Sequence, residues 1–186
     1  MRVIAGRLGG RRLVAPRGAA TRPTADRVRE ALFSALGDVS DTAACDLYAG
    51  TGALGIEALS RGARRAVFVE SARPALAVLR DNLAALGLQE LALVIPLPVE
   101  RALDRLAAEG PFDLVFLDPP YAALAQAAAA AARLAGPLGL LAPGGRLVLE
   151  HASRDPAPAV GLLACAATRT YGDTALSIYV HASQAG

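Results

Sequence analysis

Short apolar runs alternate along the chain with stretches whose apolar residues recur at helical spacing. Val3-Ile4 and Leu13-Val14, with glycines at 6, 9 and 10 between them, predict a small hairpin. Val28, Leu32, Phe33 and Leu36 share one face of a helix expected over 25–36, capped by Thr24 and stopped by Gly37. From there strands are expected over 44–48, 66–69, 91–95, 112–117 and 146–150, the last after the turn Pro143-Gly144-Gly145. Helices are expected between them over 53–60, 74–86, 99–108 and 122–135, with Pro74 in the first turn of one and Gly87 beyond its end. Two closing strands, 162–170 and 175–181, flank Gly172-Asp173-Thr174 as a hairpin.

Seven strands alternating in this way imply an α/β domain. The sheet is expected to be mostly parallel and covered on both faces, with the closing hairpin as an antiparallel edge. Residues 38–186 form that domain in this reading, and residues 1–37 are a small hairpin-and-helix extension. At 186 residues the chain suits one well-buried domain plus such an extension. Hydrophobic residues make up 54% of it, much of that alanine. The longest apolar run, 122–132, is broken by Gln126 and is too short to span a bilayer. No basic segment ahead of a leucine-rich core opens the chain, so a cytoplasmic location is expected. Cys45 and Cys165 make no disulfide framework, and no metal-ligand spacing is present.

Charge changes this picture at one place. Residues 1–29 carry eight arginines against Asp26 alone, a surplus of seven, while the remaining eleven arginines face sixteen acids. Arg7, Arg11, Arg12, Arg17, Arg22, Arg27 and Arg29 are therefore candidates for phosphate contacts. Asp26 and Glu30 offer the alternative that Arg27 and Arg29 pair along an exposed helix face.

In doubly wound sheets ligands bind beyond the carboxyl ends of the strands, so the residues just after each strand are the candidates for a site. After the first strand comes Asp46-Leu-Tyr-Ala-Gly50-Thr-Gly52-Ala-Leu-Gly55, whose glycines let backbone approach a ligand. Nicotinamide enzymes and methyl-donor enzymes share such a loop. Glu70 closes the second strand, where a carboxylate can accept from both hydroxyls of a ribose. The fourth strand runs into Asp118-Pro119-Pro120-Tyr121. The prolines stiffen the turn and lack amide donors, so an acid and a carbonyl stand ready to accept both hydrogens of a planar amine. Tyr121 beside them suits stacking on an extruded base. A nicotinamide oxidoreductase leaves this segment unexplained. A non-catalytic RNA-binding module leaves the whole constellation unexplained. His151 comes after the fifth strand and reads as structural or peripheral.

The Asp-Pro-Pro-Tyr segment resembles the signature of class I methyltransferases acting on exocyclic amines, including adenine-N6 and glutamine-amide enzymes. Arg2–Gly6, Gly10–Leu13, Arg22–Glu30, Asp46–Gly62, Asp118–Tyr121, Tyr171-Gly172 and Leu176–Tyr179 together are similar to the bacterial 16S ribosomal RNA guanine-N2 methyltransferase family. The resemblance covers nearly the whole chain. It implies a Rossmann-like fold, S-adenosylmethionine as donor and one hairpin-loop guanine of 16S ribosomal RNA as target, with the small-subunit particle as the setting. A monomer is expected. By position it implies that Asp46, Ala49, Gly50, Thr51 and Gly52 hold the methionine part of the donor. Glu70 and Ser71 would hold its ribose, and Asp118, Pro119, Pro120 and Tyr121 would form the target pocket. Where the family usually has an acid or amide near the donor's adenine, this chain has Pro98-Val99, leaving backbone around Val99 for that contact.

Overall fold

The computed structural model describes residues 1–15 and 23–182; Arg17 and Arg22 lie outside them. In chain order the elements are α1 (Pro23–Leu36), β1 (Ala43–Leu47), α2 (Ala53–Ser60), β2 (Arg65–Val69), α3 (Arg73–Ala85), β3 (Ala92–Ile95), α4 (Val99–Leu106), β4 (Phe112–Leu117), α5 (Leu124–Ala135), β5 (Leu141–Ala152), β6 (Leu163–Tyr171) and β7 (Thr174–His181). The strands form one sheet in the order β3-β2-β1-β4-β5-β7-β6. β1 to β5 run parallel, and β7 is antiparallel to both β5 and β6. The order reverses between β1 and β4, which places the switch-point crevice at their carboxyl ends.

The central strands are apolar throughout because both faces are covered. β1 is buried at all five positions. On one face Leu47, Val69, Val115, Leu117 and Leu149 pack under α4 and α5. On the other Ala44, Phe68, Phe116 and Val148 pack with α1, α2 and α3. The N-terminal segment belongs to this second cluster: Val3, Leu13, Leu32 and Phe33 are all buried in it. Phe33 of α1 meets Phe116 of β4 with ring centroids 5.7 Å apart.

Several expectations shift. The N-terminal hairpin reduces to a single antiparallel bridge, Arg2 with Arg12, around a 3-10 turn over Gly6–Leu8. Gly6, at φ +78°, lies against Ser60, where an added Cβ would come within 2.0 Å of the Ser60 carbonyl oxygen. This close docking on the end of α2 replaces strand pairing as the restraint on the segment. β5 starts at Leu141, ahead of the expected 146, because the Pro143-Gly144-Gly145 stretch is absorbed as an irregularity opposite Phe112 and Leu114. α1 begins at Pro23, so Thr24 falls inside its first turn. The closing turn uses only Gly172 and Asp173, with Tyr171 paired to Thr174 and Gly172 at φ +60°. Among the described residues no helix is long and apolar enough to cross a membrane.

Candidate active site

The carboxyl ends of β1, β4 and β5 open into a cavity of about 360 Å³. Asp46, Tyr48, Ala49, Gly50 and Thr51 line it from the first strand and its loop, and Asp118 and Tyr121 from beyond β4. Glu150 and Val148 of β5 complete the sheet side. Ala25, Val28, Arg29 and Leu32 of α1 form a wall. The expected acceptor residues Asp118 and Tyr121 therefore share one space with the glycine loop, bounded by the N-terminal helix.

The loop is held by carboxylates from below. Asp46, buried in β1, accepts the Gly55 amide at 2.9 Å and so fixes the first turn of α2. Glu70 accepts the Gly50 amide at 2.8 Å through one oxygen. Its other oxygen accepts from Ser71 and Ala72, each at 2.7 Å. Two glycines are required, one by its backbone conformation and one by contact. Gly52 sits at φ +82°, and an added Cβ would lie 2.4 Å from Leu79. At Gly55 an added Cβ would lie 2.3 Å from the Phe68 ring, so α2 could not lie this close to β2. From the other side Asn82 of α3 donates to the carbonyl of Thr51 at 3.0 Å. The same amide exchanges two hydrogen bonds with the backbone of Val14.

Tyr48 is a site residue that sequence reading missed. It adopts φ +66°, a conformation that costs an aromatic residue roughly 1–3 kcal/mol. The residue lines the cavity, and its hydroxyl is buried without a hydrogen-bond partner. Strain and an unsatisfied donor together mark a position shaped for a ligand.

The electrostatics of the cavity are set by crowded acids. Burial pushes the Asp46 carboxyl up to about 7, with Asp118 and Glu70 adding repulsion against the Gly55 hydrogen bond. Asp118 is exposed on the surface where it opens onto the cavity, yet the protein packed around it raises its carboxyl to about 6. Burial, and then Asp118 beside it, push Glu150 up to about 8.

Other expected residues fall elsewhere. Val99 begins α4 with its side chain in the core cluster, away from the cavity lining. Gly52, Pro119, Pro120, Glu70 and Ser71 flank the cavity without lining it. Arg7, Arg11, Arg12 and Arg27 are exposed. Arg29 is not available to a phosphate: it is 5% exposed and pairs with Asp26 at 3.0 Å and with buried Glu57 at 3.7 Å. An arginine in a basic run reads as a surface cation unless its long-range acid is known, and Glu57 lies on α2. His151 is buried, bonded to Ser177 at 2.8 Å and to its neighbour's carbonyl, in a structural network.

The strand order, the glycine loop beyond β1 and the acid-proline turn beyond β4 define a class I methyltransferase. The chain belongs to the family described as Conserved hypothetical protein 95, whose model matches residues 1–180. The Bacillus subtilis protein YlbH, a candidate rRNA methyltransferase, is 41% identical over 182 residues, 96% of this chain and 98% of its own. Ribosomal RNA small subunit methyltransferase D of Escherichia coli is 43% identical over 123 residues, 65% of this chain and 60% of its own. Among solved structures, the Escherichia coli methyltransferase candidate YhhF superimposes with a TM-score of 0.82 at 34% identity, covering 99% of each chain.

Proposed function

We propose that this chain transfers the methyl group of S-adenosylmethionine to the exocyclic N2 amine of one guanine in 16S ribosomal RNA, within a small-subunit particle. The observation that carries the reading is the single cavity joining the glycine loop to Asp118 and Tyr121. Relatives bearing ribosomal RNA methyltransferase names support the class of substrate.

The residues present fit the donor. The cavity volume lies in the range of small-molecule sites. Tyr48, which lines the cavity, carries a buried hydroxyl that is without a partner in the chain. In this assignment Asp46, Ala49, Gly50, Thr51 and Gly52 hold the methionine part, and Glu70 and Ser71 the ribose. Three amides already bond the Glu70 carboxylate, leaving about one of its roughly four acceptor sites for a hydroxyl. Backbone near Val99, which lies outside the cavity lining, would border the adenine.

When bound, S-adenosylmethionine supplies a methyl carbon activated by positive sulfur, whose C–S bond breaks as an amine nitrogen bonds to the carbon. The chain's part is alignment, which is worth roughly 7–11 kcal/mol in well-ordered intramolecular reactions. A guanine amine is conjugated and weakly nucleophilic. Asp118 and the Pro119 carbonyl accept hydrogen bonds from its two hydrogens, favouring a pyramidal nitrogen with its lone pair turned outward; once the methyl has transferred, one of these protons leaves the nitrogen, to Asp118 or to water. With its carboxyl raised only to about 6, Asp118 is largely ionised at neutral pH and able to accept. Tyr121, 65% exposed at the cavity mouth, stacks on the extruded base. Residues 1–37 serve as the RNA-binding extension of the methyltransferase domain, with Arg7, Arg11, Arg12 and Arg27, together with Arg17 and Arg22, on phosphates. The protein acts as a monomer in the cytoplasm.

The test is transfer of tritiated methyl to naked 16S RNA and to small-subunit particles, with nucleoside mapping of the product. N2-methylguanosine is expected; label recovered as N6-methyladenosine or on protein overturns the assignment.

A further inference from the structure

Glu150 is not among the residues that the sequence singled out, yet it stands beside the reacting position. β4 and β5 run parallel with Phe116 opposite Val148 and Leu117 opposite Leu149. β4 ends at Leu117, and one further step of that register would set the backbone of Asp118 opposite that of Glu150, about 4.8 Å away by strand spacing. Both line the cavity. Glu150 is also paired to Leu176 of β7, so its backbone is held on both flanks. None of the ion pairs among the described residues involves Asp118 or Glu150. Val28 and Leu32 of α1, with Val148 and Leu176 of the sheet, supply apolar surface for a flat ring in the same space.

We propose that Glu150 selects guanine, its carboxyl receiving the N1–H of the base whose N2 amine faces Asp118. This rests on the methyl-transfer reading above. Three amine-bearing bases are distinguished by what adjoins the amine. In guanine it is an N–H donor and then the O6 acceptor, whereas in adenine and cytosine it is a bare ring nitrogen. A carboxyl oxygen beside Asp118 receives the second of two adjacent donors, which adenine and cytosine do not present. Burial and the Asp118 charge keep a proton on Glu150 up to about 8, and the protonated form still fits. Its carbonyl oxygen receives N1–H while its hydroxyl reaches O6. The other titratable or charged side chains lining this space are Asp46, Tyr48, Tyr121 and Arg29, and Glu70 adjoins it.

The experiment compares guanine with 2-aminopurine at the mapped target position of RNA reconstituted into small-subunit particles. 2-Aminopurine keeps the N2 amine but lacks N1–H and O6. Wild-type protein is expected to prefer guanine by on the order of 10- to 100-fold in kcat/KM, the discrimination given by one good base-edge contact. Glu150→Ala should bring the ratio to within roughly threefold, with the loss falling on guanine, because the edge-specific contact is gone. Glu150→Gln, which keeps a carbonyl acceptor and a donor, should retain most of the preference. Equal loss on both substrates, or an unchanged ratio, in Glu150→Ala overturns the assignment. If that variant does not fold, a preference lost in Glu150→Gln overturns it instead. Absence of transfer to guanine by the wild-type protein is a different result: it removes the methyl-transfer reading itself.

Discussion

The carboxylate of Glu57, fully buried in α2, accepts the backbone amide of Ile4 at 2.7 Å. Its second oxygen accepts from Ala5 at 3.0 Å and from Arg61 at 2.8 Å, while Arg29 lies 3.7 Å away. The N-terminal segment is thereby fastened to the helix beyond the glycine loop. Glu57→Ala would leave Arg29 buried beside a vacated position. Arg29 keeps Asp26, but the Ile4 and Ala5 amides lose their acceptor, at about 1–3 kcal/mol for each group left unsatisfied, so urea unfolding should show a lower midpoint. An unchanged midpoint would show that the carboxylate does not fasten the segment.

Asp118→Ala should lower kcat for methyl transfer on the order of 100-fold or more, by analogy with removing one preorganised polar group from other active sites. Donor affinity, measured by calorimetry, should stay within a few fold, since donor contacts come from the first loop. Normal turnover in this variant would remove Asp118 from the chemistry.

The same residue fixes a pH dependence. An Asp118 carboxyl raised to about 6 is protonated below that pH, where it is a weaker acceptor for the amine hydrogens and carries no charge to favour the developing positive nitrogen. The rate should therefore rise through about pH 6 and level off above it. Asp118→Asn should flatten that limb.

Asp46 predicts stability in the opposite sense. Its folded-state pKa, about 7, lies above its ordinary value of 3.8, so the fold binds its proton more tightly than the unfolded chain. This contribution favours the fold below pH 4 and is lost as pH rises through about 7. Asp46→Asn retains an acceptor for the Gly55 amide and never ionises. The variant should gain stability relative to wild type between pH 4 and pH 8, as read from urea midpoints across that window. A constant difference would contradict the titration.

Replacing Arg7, Arg11, Arg12 and Arg27 with glutamine should weaken RNA binding uniformly across sequences. For every phosphate left without its arginine, the slope of log affinity against log salt should fall by about 0.7–0.9. Arg29→Gln belongs to another class: it should lower the unfolding midpoint because it breaks a buried pair. Filter binding at several salt concentrations separates the two groups.

Much of this architecture is legible in local pattern. β4 ends at Leu117, as its apolar run implies, and the acid-proline turn comes directly after it. α2 occupies the expected 53–60 because the Gly50–Gly55 spacing fixes both its start and its contact with Phe68. What escaped depends on pairings distant in sequence. Arg29 is buried because α1 docks on α2, and Glu150 shares a cavity with Asp118 because β5 runs beside β4. Tyr48 carries a positive φ that its residue type disfavours, so no propensity announces it. The share of α1 in the cavity wall is likewise a matter of docking, not of helical periodicity.

Asn82 joins two segments that the chain keeps far apart: one side-chain amide grips both Val14, beside the arginine-rich arm, and Thr51, in the glycine loop. Thermodynamic linkage gives such a joint a reciprocal character. If a partner gripping the arm moves Val14 relative to Asn82, the free energy of that move is shared with Thr51, and the affinity of whatever Thr51 contacts changes by the same factor in both directions. In that case arm and loop act as one thermodynamic unit, with a buried asparagine as its hinge pin.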